Sequence, residues 1–147
     1  MIKVSMVPKE HVTDIWDAVT PHLKKAADYT YGRYEVDDIL DCITDYEHTL
    51  WIAFDEESIK GAVVTMIRQY PRKKYLDMVF TGGVELEKWK KPMLELLQKW
   101  AFDTKCDGIE SVGRPGWAKI FKTDGHKPLW NTYELPVAKT GLGDING

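Results

Sequence analysis

The ten residues GAVVTMIRQY, 61–70, are apolar over most of their length on both of the faces a strand would present. Side chains alternate along a strand, so such a run is stable only in a sheet covered from both sides. Two neighbours frame it. LWIAF (50–54) reads as a strand and joins the run through the polar turn DEES (55–58). YLDMVF (75–80) follows through the basic turn PRKK (71–74). Three strands joined by short turns make an antiparallel meander. The glycines of FTGG then lead into a long helical pattern, with Leu86, Trp89, Met93, Leu97, Trp100 and Ala101 on one broad face. Asp107-Gly108 ends that helix and IESV (109–112) is a strand, so this strand-helix-strand step returns parallel.

The flanking segments complete the order. Residues 2–6 alternate weakly and predict a first strand, and Pro8 suits the opening turn of a helix. Val12, Ile15, Trp16, Val19 and Leu23 keep helical spacing, with Pro21 expected to kink or end the helix. Val36, Ile39, Leu40 and Ile43 mark a second helix. Pro92 is expected either to start the regular part of the long helix or to kink it. A short helix over 116–122 and an alternating last strand over 130–135 follow, while the tail 138–147 has almost nothing to bury. The expected architecture is an α/β mixed central sheet with helices on both faces, in the order β-α-α-β-β-β-α-β-α-β. Residues 1–137 make one domain, and 138–147 form a loose tail.

At 147 residues, 44% apolar and 29% charged, the chain has the composition of an ordinary globular protein. No apolar run approaches the roughly 18 residues of a membrane helix. The start, MIKVSMVPKE, has no signal-peptide core, so the expected compartment is the cytoplasm. Cys42 and Cys106 stand alone and read as buried thiols, and the four histidines have no metal-ligand spacing. Charge is uneven: residues 1–60 carry 6 Lys/Arg against 13 Asp/Glu (−7), and residues 61–137 carry 13 against 9 (+4). Asp37, Asp41 and Asp45 repeat every four residues, as on the solvated side of a helix. The mildly basic second half could attract an anion, but it lacks the aromatic-basic alternation of a nucleic-acid binder.

The element order, with WIAFDEESIKGAVVTMI as a hairpin, YLDMVF before a glycine-bearing turn and long helix, and IESVGRPGWAKIFKTDGHK at the close, resembles the GNAT superfamily of N-acyltransferases. The resemblance implies an acyl-CoA donor, acetyl-CoA or another, and an amine acceptor of unspecified identity. It implies that backbone groups of Val79, Phe80 and Thr81 meet the donor's pantetheine arm, with Gly82 and Gly83 at the turn beyond. Family members open the long helix with a glycine pattern whose N–H groups receive the diphosphate. Here those places hold KWKK (88–91), so Lys88, Lys91 and Arg114 would have to compensate. Asp77 stands where some members carry a proton-accepting Glu, and the alternative for it is an exposed, inert Asp at a strand start. At the closing motif Arg114 replaces the usual Asn, Trp117 the Ala and Phe121 the proton-donating Tyr.

VGRPGW, with Arg114, Gly116 and Trp117, also resembles small GNAT-like proteins of tailed phages. Two functions therefore stand side by side. One is a divergent N-acyltransferase with Asp77 as its base. The other is a catalytically inactive GNAT-like structural or binding protein, with a protein partner or a phage virion as its setting.

Overall fold

In a computed structural model of the chain, residues 1–111, 125, 127, 129, 130 and 132–137 are described. They fall in two compact units, Met1–Val112 and Gly113–Gly147. Among the described residues, the first contains the strands and α-helices: β1 (Lys3–Val7), α1 (Val12–Asp28), α2 (Val36–Asp45), β2 (Thr49–Phe54), β3 (Ile59–Gln69), β4 (Lys74–Gly83), α3 (Leu86–Asp103) and β5 (Gly108–Ser111). The five strands form one sheet in sequence order. β1 to β4 are an antiparallel meander, and β5 returns parallel to β4 through α3. The mixed sheet expected from the sequence is present.

Alternation divides the core into two layers. Leu50, Ala62, Val64 and Phe80 pack with α1 and α2, while Trp51, Ala53, Val63, Leu76 and Met78 pack with α3. The covered run of β3 thus has a helical layer on each side, as its composition demands. Trp51 is buried because its indole N–H finds an acceptor, donating to Thr65 Oγ1 across β2 and β3 at 2.9 Å.

Neither proline marks a helix boundary, which removes one of the two expectations for each. α1 continues through Pro21 to Asp28, and α3 begins at Leu86 with Pro92 inside it. Pro21 and Asp17, whose carbonyl would have received its N–H, are both exposed, so that carbonyl is open to solvent. α2 starts on a capping box, the Glu35 N–H donating to Asp38 Oδ2 at 2.9 Å.

The last strand expected over 130–135 is not formed in its described residues. Trp130, Tyr133 and Leu135 are 71–92% exposed there. An alternating pattern makes a strand only when an edge pairs with it. The short helix over 116–122 and the tail 138–147 lie outside the described residues, as do Arg114, Gly116, Trp117 and Phe121. No described helix is long and apolar enough to cross a membrane. Cys42 and Cys106 are free thiols, half-buried rather than fully buried.

Candidate functional site

β4 carries the candidate site, and one irregularity shapes it. Thr65 pairs with Met78 and Val64 with Phe80, which leaves Val79 as an extra residue. A bulge of this kind turns two successive side chains toward the same side and bends the strand. Leu76 and Met78 accordingly face α3, whereas Val79 and Phe80 both pack in the α1/α2 layer. The parallel ladder to β5 ends at Met78 opposite Ser111. From Val79 through Thr81 the far edge of β4 therefore has no strand partner among the described residues. Sequence periodicity did not foretell this switch.

Asp77 lies two residues before the bulge and is only 7% exposed, which corrects the expectation of an exposed side chain at a strand start. Arg68 Nε and Nη2 donate to its Oδ2 at 3.1 and 2.8 Å. Glu110, its register partner on β5, lies 3.6 Å from Arg68 Nε and accepts a 2.7 Å bond from the Tyr70 hydroxyl. Burial raises the Asp77 carboxyl above the ordinary value, and the Arg68 bond and charge pull the other way. The bond to Asp77 in turn raises Arg68. His48 is held below 6.5, first by burial and then by the Arg68 charge. Glu110 and Tyr70 were not singled out from the sequence, and Arg68 counted there only among the basic residues of the second half. The signal was available only as register, because their placement beside Asp77 depends on which residues pair across β3, β4 and β5.

Gly82 and Gly83 do not form a turn. Both belong to β4, paired with Ala62 and Gly61. A Cβ on Gly82 would overlap the His22 carbonyl oxygen of α1, so this glycine exists for helix-to-strand approach. The turn is Val84-Glu85, where the Val84 N–H donates to Lys60 O at 2.8 Å. Glu85 is left-handed at φ 54, immediately before α3. Its Oε1 receives Lys88 Nζ at 2.7 Å, and Lys60 Nζ lies 3.3 Å from its Oε2. Lys88 is thus already paired, while Lys91 is exposed one turn further on. Trp89 of KWKK is buried, its indole N–H donating to Val84 O at 2.8 Å.

The fit to an acyl-CoA is divided. Among the described residues, β4 from Val79 to Thr81 offers backbone groups that a pantetheine arm could hydrogen-bond as a strand would. The start of α3 does not suit a diphosphate, because Glu85 and Glu87 stand there with no glycines. The basic residues that the sequence grouped together are also split. Arg68, Arg72, Lys73 and Lys74 flank the β3–β4 turn, about 30 Å along β4 from Gly83. Among the described residues no group of three or more His, Cys, Asp or Glu could hold a metal ion.

No family model matches the sequence, and no curated protein matches it. Solved structures do match the fold. A probable acetyltransferase superposes with a TM-score of 0.69 at 13% identity, over 93% of this chain and 99% of the other. A predicted acetyltransferase with acetyl-CoA from Clostridium acetobutylicum gives 0.67 at 13%, over 92% and 96%. The ribosomal-protein-alanine N-acetyltransferase of Brucella melitensis biovar Abortus 2308 gives 0.67 at 11%, over 94% and 100%. At such identities the likeness is one of architecture: the chain has the GNAT acetyltransferase fold.

Proposed function

We propose that the chain is an N-acyltransferase that moves an acyl group from a pantetheine thioester of the acyl-CoA type to an amine. One observation supports this above the others. A nearly buried carboxylate, Asp77, sits on β4 two residues before the bulge at Val79. The donor supplies an activated acyl carbon. The amine nitrogen attacks that carbon, so a C–N bond forms and the C–S bond breaks. Asp77 takes the proton the amine loses, directly or through one water, and burial, by raising its pKa, favours that uptake. Backbone N–H groups of the Val79–Thr81 segment would stabilise the oxyanion. The thiolate leaves with a proton from solvent, since Phe121 has none to give.

Arg68 favours a second reading. Its Nε and Nη2 both donate to Asp77 Oδ2, so the carboxylate is already engaged. A GNAT-like binding or structural protein without turnover, in a protein assembly or a virion, would keep this pair as scaffold. Acyl transfer from acetyl thioesters to a panel of primary amines separates the two. The enzyme reading expects turnover that falls about 100-fold or more in Asp77→Asn. Absence of turnover on every amine, together with no thioester binding, favours the scaffold.

A further inference from the structure

The start of α3 holds an anion that belongs to the chain itself. The Glu85 carboxylate is gripped from both sides, by Lys88 at 2.7 Å and by Lys60 at 3.3 Å. Lys60 also lies 3.7 Å from Asp55 Oδ2. Two features keep Glu85 in place although its left-handed backbone costs about 1 kcal/mol or more. On one side the Val84 N–H is tied to Lys60 O. On the other, the Trp89 indole is tied to Val84 O and packed against Gly61. The two lysines nearest the helix start are therefore neutralised from within. A diphosphate arriving there would meet Glu85, Glu87 and Asp55. Like charges at contact distance repel, so these carboxylates disfavour a diphosphate there.

We infer that the chain holds its acyl donor through the acyl-pantetheine arm along β4 and not through a nucleotide diphosphate, whose place Glu85 fills. This rests on the acyltransferase reading and narrows it. The donor class is an acyl thioester of pantetheine, either free or borne on a carrier protein. In either case recognition ends where the arm passes Gly83.

Calorimetric titration of the full chain tests this with three probes: acetyl-CoA, S-acetylpantetheine and an acetyl-loaded acyl carrier protein. The wild type should bind acetyl-CoA within about threefold of S-acetylpantetheine. Glu85→Gln frees Lys60 and Lys88, so acetyl-CoA should then bind about tenfold tighter, with S-acetylpantetheine unchanged. Carrier binding tighter than the free arm assigns the carrier as the source, and equal binding assigns the free thioester. The inference is overturned if wild-type acetyl-CoA binds tenfold or more tightly than S-acetylpantetheine, or if Glu85→Gln leaves their ratio unchanged. Those results leave the acyltransferase reading standing. Binding of none of the three probes overturns both.

Discussion

The indole of Trp89 lies so close against Gly61 that a Cβ on the glycine would overlap the ring. This contact joins the start of α3 to the middle of the sheet. Neither side can give: Gly61 is in the ladder between β2 and β4, and Trp89 is tied through its N–H to Val84. Gly61→Ala should therefore destabilise the fold by about 1–3 kcal/mol, the usual range for overpacking a filled core. Denaturant unfolding measures it, and a change within 0.5 kcal/mol would show that α3 slides freely over the strand.

A larger effect is expected at Gly82, whose neighbour is the backbone carbonyl of His22 rather than a side chain. Because α1 is also bound to β3 through the His22 ring and Ile59 O at 2.8 Å, it cannot shift without losing that bond. Gly82→Ala should cost more than Gly61→Ala, about 3 kcal/mol or more. The order of the two melting temperatures is the check.

The Arg68–Asp77 pair should show strong non-additivity. Asp77→Ala leaves a half-exposed guanidinium with the longer contacts to Glu110 and the Met66 sulfur, at a cost of about 1–3 kcal/mol. Arg68→Met strands a buried carboxylate and should cost at least as much. The double variant Arg68→Met/Asp77→Leu removes both charges, so it should be less damaging than the two single changes summed. A double-mutant cycle with no coupling would mean the pair contributes nothing.

Acid sensitivity should trace in part to Glu85. Its carboxyl is held below the ordinary 4.5, chiefly by the hydrogen bonds from Lys88 and Lys60. The depressed value means that the folded state favours the ionised form. This contribution is present above 4.5 and is lost as pH falls from there through the folded-state value. Melting temperatures of Glu85→Gln should therefore fall less steeply below pH 4.5 than those of the wild type.

His48 works in a neighbouring window. Burial and the Arg68 charge keep its imidazole neutral in the fold to lower pH than in the unfolded chain. Below 6.5 the unfolded chain takes up the proton first, so stability declines as pH falls from 6.5 toward the folded-state value. His48→Gln should flatten the stability curve just below pH 6.5 and leave it unchanged above.

Some of this protein was determined by sequence alone. The doubly apolar run of β3, the short turns around it and the 3.6-residue period of α3 require a meander followed by a parallel return, because local periodicity fixes which faces must be buried. The place of Asp77 and of Val79 to Thr81 on the strand before α3 was also legible from that order. What came only from the tertiary structure depends on register and contact across distance. The bulge at Val79 reverses the alternation of β4, and its cause lies in how that strand pairs with β3. Arg68 and Glu110 meet Asp77 because strands 9 and 33 residues away in sequence align beside it. Gly82 and Gly83 read as a turn because glycines commonly make one, yet the approach of His22 and the pairing with β3 keep them in the strand. Glu85 was an unremarked acid in a charged segment until folding brought Lys60 from the other side of a hairpin to meet it, since a charge pair depends on distance in space rather than along the chain.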